Sequence, residues 1–370
     1  MKRVLHYVAL MNRAGQETFI MNVFRAIDRS VVSFDFLCCL PGNGDYDEEI
    51  RKLGGEVYHI KLSDRNSKLK QFDNFFILYN YLKTHCKEYC AFHIHTQHAM
   101  DGFMEALAAK IAGIPTVIVH SHSTSTLFHV NAHKLFRLPL NKLPVVKLAC
   151  SELAGNWLYG RNGKFEVIRN GIDIDKYTYS EDIRAEVRKE NGWNNKIVIG
   201  HVGSFTYPKN HEFIVDVFNS FLKVEPNAHL VFAGKGELKS SVEKKCEDLG
   251  IRNRVTFLGT RNDIERLNQG FDIMLFPSRY EGLPVVLVEA QCTGLPCLIS
   301  DTITTEVDIT NLIKRLSIKN DDISIWVDTL SKMLTEYKSY KRENAANAVN
   351  ENKYGMKETV DRLMEIYCNG

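Results

Sequence analysis

The sequence predicts an α/β protein made of two doubly wound domains, each a parallel sheet covered by helices on both faces. Three observations predict it. Short apolar runs rich in β-branched and aromatic residues alternate with segments of helical periodicity. The alternation is laid down twice, once on each side of a polar stretch at 173–195. The chain has 370 residues, and at about 100–200 residues per domain that length suits two cores better than one.

Taken in order, the first half places strands at VLHYVAL (4–10), VSFDFLCCL (32–40), EVYHI (56–60), AFHIHT (91–96), TVIVHS (116–121), KLACS (147–151) and FEVIRN (165–170). Helical segments, such as 17–28, 72–89 and 101–112, separate them. The second half places strands at KIVIGHVG (196–203), AHLVFAG (228–234), RVTFLG (254–259), DIMLFPS (272–278) and LPCLIS (295–300). Its helices are expected at 210–224, 237–249, 262–269, 284–293, 321–336 and 340–350. The domain boundary is placed near residue 175, giving domains at 1–175 and 176–350. The last segment, 351–370, reads as an amphipathic helix with Val360, Leu363, Met364 and Tyr367 on one face, crossing back to the first domain. In open α/β sheets ligands bind beyond the carboxyl ends of the strands, so a cleft between two such domains is the default active site.

Composition narrows the function class. Net charge is only +2, which gives no reason to expect a nucleic-acid partner. The nine cysteines are odd in number and sit mostly in apolar runs, as free thiols of a reducing compartment do. MKRVLHYVAL lacks the long apolar core and cleavage site of a signal peptide and reads as a first strand. No window approaches about 18 uninterrupted apolar residues. The expected location is cytoplasmic, with contact at the inner face of the cell membrane as an open addition. That addition rests on HKLFRLPLNKLPVVK (133–147) and KLSDRNSKLK (61–70), which mix basic and apolar residues as lipid-surface segments do. On the residues alone an ordinary amphipathic surface is the slightly favoured alternative.

The chemistry concentrates in SRYEGLPVVLVEAQC (278–292). Pro284 suits a helix start. Glu281 then stands in the loop before the helix and Glu289 inside it. Gly282 lets a ligand approach the backbone, and the free amides of a helix start attract anions. One segment can thus offer amides to a diphosphate and two carboxylates to hydroxyl groups, as a sugar nucleotide requires. In HVGSFTYPKNHEF (201–213), Lys209 stands at a loop–helix junction where a phosphate would lie. Cys86, Cys90, His93 and His95 have metal-ligating side chains, but their spacing fits no common zinc pattern and the two histidines belong to a buried strand. They are read as core, and no metal site is expected.

Together these motifs resemble family 4 of the retaining glycosyltransferases, which have the GT-B fold of two Rossmann-like domains facing a cleft. EGLPVVLVE matches that family's pair of glutamates, and GSFTYPKN stands at its phosphate loop. ACSELAGNWL, VIRNGID, FLGTRNDI and FPSRYEGLP follow in family order, so the resemblance runs from about residue 1 to 367. The nearest likeness is to bacterial capsular and exopolysaccharide enzymes. The resemblance implies that Lys209, with Gly203 and Ser204 in the same loop, binds the donor diphosphate. It implies that Glu281 contacts the transferred sugar, Glu289 the ribose, and the Gly282 and Leu283 amides the phosphate or sugar. Arg261 would line the base pocket, and Gly15, in MNRAGQETF, would face donor phosphate and acceptor. His122, or else His120, would meet the donor sugar near the reacting centre. His95 and Asp101 would meet the acceptor. Ser204 departs from the family pattern, which has Arg there, so Lys209 carries more of the phosphate charge. No Asp-x-Asp motif of metal-dependent transferases is evident, and no cofactor or metal is implied. The expected reaction moves a hexose or N-acetylhexosamine from a UDP-sugar to a lipid-linked or oligosaccharide acceptor. The alternatives are a UDP-sugar epimerase on the same scaffold and a non-catalytic sugar-nucleotide-binding subunit.

Overall fold

A computed structural model describes residues 1–62, 68–124, 129–319 and 322–369. It divides into two units, Met1–Gly171 with Tyr354–Gly370, and Ile172–Lys353. Each is a parallel sheet between two helical layers.

The first unit carries strands β1 (Lys2–Val8), β2 (Val32–Cys38), β3 (Val57–His59), β4 (Ala91–Thr96), β5 (Thr116–Ser121), β6 (Val146–Ala149) and β7 (Glu166–Val167). Their order is β3-β2-β1-β4-β5-β6-β7, every pair parallel. The order reverses between β1 and β4, the topological switch point. Helices α1 (Gly15–Ala26), α2 (Asp47–Lys52), α3 (Lys68–His85), α4 (Ala99–Ala112), α5 (Val130–Lys142) and α6 (Glu152–Tyr159) connect them. One face buries Val4, Val8, Phe34 and Phe36 under α1 and under the carboxyl-terminal helix, where Val360, Leu363 and Tyr367 are buried. The other buries Leu5, Tyr7, Phe92, Ile94 and Val119 under α3 to α6. Buried on both faces, these strands are apolar runs rather than alternating patterns.

The second unit holds β8 (Ile197–Val202), β9 (Ala228–Ala233), β10 (Val255–Phe257), β11 (Ile273–Phe276), β12 (Cys297–Ser300) and β13 (Ile313–Leu316), in the order β10-β9-β8-β11-β12-β13. Its helices are α7 (Ile174–Tyr177), α8 (Glu181–Glu190), α9 (His211–Phe221), α10 (Lys239–Asp248), α11 (Ile264–Gly270), α12 (Val285–Cys292), α13 (Ile323–Glu336) and α14 (Ala345–Glu351); α15 (Met356–Asn369) returns to the first unit. Here the switch point lies between β8 and β11.

All twelve predicted strands are present, shifted by a few residues at their ends. β13, IKRL, is an addition. It pairs only with β12 at the sheet edge, so its charged residues carried no apolar signal. The polar stretch 173–195 is not a separator. It forms α7 and α8, and α8 is fastened to the second unit chiefly by charge, with Val187 its one fully buried side chain. Asp272 receives both Arg184 and Arg188, and the Val198 amide donates to it at 2.7 Å. The two guanidiniums also donate to the carbonyls of Gln269, Gly270 and Phe271.

Candidate active site

The donor half is built on two neighbouring strands of the second unit. The loop after β8 and the loop after β11 leave the sheet side by side at the switch point and are stitched together. The Arg279 amide donates to the Pro208 carbonyl at 2.7 Å, and the Asn210 side chain donates to the Pro277 carbonyl at 3.2 Å. Ser300 and Thr302 hydroxyls donate to the Ser278 carbonyl and hold the second loop from the β12 side. The Arg279 guanidinium lies over the Tyr207 ring at 4.6 Å. The geometry therefore belongs to a braced frame, which is what keeps a loop site in register.

Within that frame Lys209 Nζ stands 2.7 Å from Glu281 Oε1, and the two side chains are only 17% and 14% exposed. The ammonium also lies 4.8 Å above the Phe276 ring. Gly203 makes room for the lysine stem: a Cβ there would come within 3.3 Å of Lys209 Cδ. Gly234, at the end of β9 with φ of +152°, lets the Gly203 carbonyl pass where any Cβ would sit, 2.0 Å away. That second glycine, in AGKGE, was not singled out from the sequence, although Gly-x-Gly after a strand is its usual signal. Ser204 is exposed on the same loop. Gly282 is half-buried and Leu283 buried just before α12.

Glu289 lies in α12 and is half-buried. Burial pushes its carboxyl up to about 7, while the Tyr177 hydroxyl, which donates to it from α7, pulls it back down. Arg261, exposed after β10, makes a bidentate pair with Asp263 at 2.8 and 2.6 Å. The structure thus brings together Gly203, Ser204, Lys209, Glu281, Gly282 and Leu283 at the switch point. Arg261 lies apart from them, in the loop after edge strand β10, which β9 separates from β8.

In the first unit Gly15 opens α1, exposed and with open space where a Cβ would project. His95, His120 and His122 converge. His95 and His120 are direct partners across β4 and β5; His95 Nδ1 lies 2.9 Å from His122 Nε2, and the rings of His120 and His122 are 4.1 Å apart. Burial keeps all three imidazoles neutral, His122 falling to about 3. Two more histidines join them: His93, from the same strand as His95, and His6, which linear spacing could not suggest. His6 on β1 and His93 on β4 are register partners, their side chains on the same sheet face. Among the described residues, the groupings close enough to share a metal ion are of histidines, without Cys86 or Cys90. Asp101 does not join the histidines. It lies in the first turn of α4, on the opposite face of the sheet, lining a cavity with Tyr7, Met100, Met104 and Glu105. Of VIVHSHSTS, Ser125 falls outside the described residues, as does 63–67 of the basic segment 61–70.

Comparison with known proteins decides the family. Residues 13–176 match the description Glycosyltransferase Family 4 and residues 183–351 match Glycosyl transferases group 1. The glycosyltransferase-family protein EpsF of Bacillus subtilis is 35% identical over 377 residues, covering 99% of this chain and 96% of that one. The chain belongs to glycosyltransferase family 4. It is a glycosyltransferase of the bacterial polysaccharide type with the GT-B fold. An Escherichia coli UDP-Gal:α-D-GlcNAc-diphosphoundecaprenol α-1,3-galactosyltransferase is 23% identical over 99% of this chain and 97% of its own. The crystal structure of Anabaena HepE in complex with UDP-glucose superposes with a TM-score of 0.77 at 18% identity over the full length of both chains.

Proposed function

We propose that this glycosyltransferase moves a hexose or N-acetylhexosamine from a UDP-sugar, with retention and without a metal, to a lipid-linked or oligosaccharide acceptor in capsule or exopolysaccharide synthesis. The observation that carries the reading is the Lys209–Glu281 pair at the switch point. Each partner is what the other needs before substrate arrives: the ammonium is neutralised, and the carboxylate keeps a partner. A donor diphosphate supplies Lys209 with a stronger anion, aided by the start of α12. That exchange frees Glu281 to accept from sugar hydroxyls. In transfer the bond from the anomeric carbon to the diphosphate oxygen breaks. The acceptor oxygen bonds to that carbon from the same face, and its proton passes to the leaving phosphate. Lys209 and the amides stabilise the charge that develops there. Ser204 in place of a second cation leaves Lys209 as the side-chain charge of the loop. Gly15, His122, His120, His95 and Asp101 are assigned to the sugar and acceptor side, and Arg261 to the base. HepE with UDP-glucose and the undecaprenol-linked acceptor named for the Escherichia coli relative support the donor and acceptor classes.

The test follows the anomeric proton by NMR during transfer from candidate UDP-sugars, in EDTA. Product of retained configuration at an undiminished rate is expected. Inverted product contradicts the mechanism, a rate abolished by EDTA contradicts metal independence, and free sugar released without acceptor points to an epimerase.

Glu289 adds a pH dependence. Its carboxyl is raised, so it ionises as pH rises through about 7. The carboxylate is the stronger acceptor for ribose hydroxyls. Calorimetric affinity for the donor is expected to improve from about pH 6 to about pH 8. Glu289→Gln should flatten the profile, and an unchanged slope in that variant contradicts the ribose contact.

The acceptor's lipid would place the enzyme at a membrane surface. No helix among the described residues is long and apolar enough to cross one. On α5, Leu135 is 72% and Leu138 64% exposed, beside exposed Lys134 and Lys142. Arg137 and Lys147, counted with them from sequence, are instead tied to the carbonyls of Trp157 and Leu143. Binding to anionic vesicles is expected, weakening with salt and falling at least about tenfold in Leu135→Ser/Leu138→Ser. Co-sedimentation measures it, and equal binding by the variant removes α5 from the account.

A further inference from the structure

We propose that, in the absence of substrate, His95, His120 and His122, the residues assigned above to the sugar and acceptor side, form a binding site for one borderline divalent cation of the Zn²⁺ class, a cation that the transfer itself does not use and that is separate from the diphosphate charge handled by Lys209. Each of the three offers a ring nitrogen within 4.8 Å of those of the others. Tetrahedral zinc with bonds of about 2.0–2.1 Å sets such atoms about 3.3 Å apart, so small ring rotations close the site.

Two features add to this geometry. The first is that the cluster is incompletely satisfied. His120 Nε2 and His122 Nδ1 are buried without a hydrogen-bond partner. A buried imidazole nitrogen left unpaired costs about 1–3 kcal/mol, and apolar residues of similar size would avoid that cost. A cation takes up such lone pairs.

The second is the outer layer. A metal-bound imidazole needs its other N–H held by an acceptor. His120, binding through Nε2, has Nδ1 3.2 Å from His93 Nε2, and His93 Nδ1 lies 2.8 Å from the Tyr367 hydroxyl. His95, binding through Nδ1, has Nε2 3.0 Å from His6 Nδ1. Assigned tautomers then run in one direction along each chain: His120 donates to His93 and His93 to Tyr367, while His95 donates to His6. His6 and His93 are thus positioning residues, and metal binding exchanges one bond, His95 to His122, for three to the ion. The alternative triad of His6, His93 and His95 is wholly buried. His122 stands just after β5 and is partly exposed as a residue.

The test titrates Co²⁺ into untagged, metal-free full-length protein and reads the visible ligand-field absorption, with Zn²⁺ as competitor. A tetrahedral-type band saturating at one equivalent and bleached by Zn²⁺ is expected. His120→Phe and His122→Phe should each weaken binding at least about tenfold, and His93→Phe by about tenfold through the outer layer. Exposed His59→Ala should leave it unchanged. The wild-type spectrum needs no variant to fold. Absence of the band together with no calorimetric binding of Zn²⁺ overturns the proposal. So does binding that survives unchanged in folded His120→Phe and His122→Phe proteins.

Discussion

Glu281→Gln should lower kcat for sugar transfer by about 10²-fold or more, with a melting temperature within about 4 °C of the parent. The activity loss follows from positioning: a misplaced reacting group costs about 10²-fold. The small stability loss follows from the environment. Lys209 keeps the Phe276 ring at 4.8 Å when its carboxylate becomes an amide, and an amide oxygen still accepts from it. About 1 kcal/mol moves the melting point of a domain of this size by about 2–4 °C. Lys209→Ala should match the activity loss through the diphosphate. Because the two act on one bound donor and on each other at 2.7 Å, the double variant should fall well short of the product of the single losses. Losses that multiply would show that the pair does not act as a unit.

Arg342→Ala should destabilise the second unit by about 2–4 kcal/mol, one of the larger single-residue effects expected in the chain. Its guanidinium donates to four backbone carbonyls, those of Thr293, Gln269, Phe271 and Asn268, at 2.8 to 3.3 Å. It also lies 4.5 Å from the Tyr179 ring. The arginine thereby ties the segment leading into α14 to the ends of α11 and α12. Gly294, with φ of +65°, leaves the space it uses, since a Cβ there would meet Arg342 Cβ at 2.6 Å. Removal takes the donor from the Thr293 and Asn268 carbonyls, while Arg184 still donates to those of Gln269 and Phe271. Arg342→Lys should recover little, because one ammonium cannot span the fork. Urea unfolding of the full chain reads the effect, and a shift below about 1 kcal/mol would contradict it.

The contrast between these residues shows what could be read from sequence. The central strands were legible because they are buried on both faces and therefore mostly apolar. Glu281, Gly282 and Glu289 were legible because one short segment carries their chemistry. The Lys209–Glu281 contact was not. It depends on β8 lying beside β11, and strand order is a property of the whole sheet. The histidine cluster was hidden for the same reason: His6, His93 and His120 meet only through the β1–β4–β5 register. α8 escaped because its attachment is by Arg184 and Arg188 to carbonyls and Asp272, which in a sequence look like solvent-facing charge. Arg342 escaped likewise, a single cation in a polar stretch with nothing local to mark its burial.

The most direct test of the donor site is the thermal stability of the purified protein against a panel of UDP-, GDP- and ADP-sugars, in EDTA and in Mg²⁺. The account predicts a rise with one UDP-sugar that is the same in both buffers and is lost in Lys209→Ala. No rise with any nucleotide sugar, or one that persists unchanged in Lys209→Ala, would contradict it.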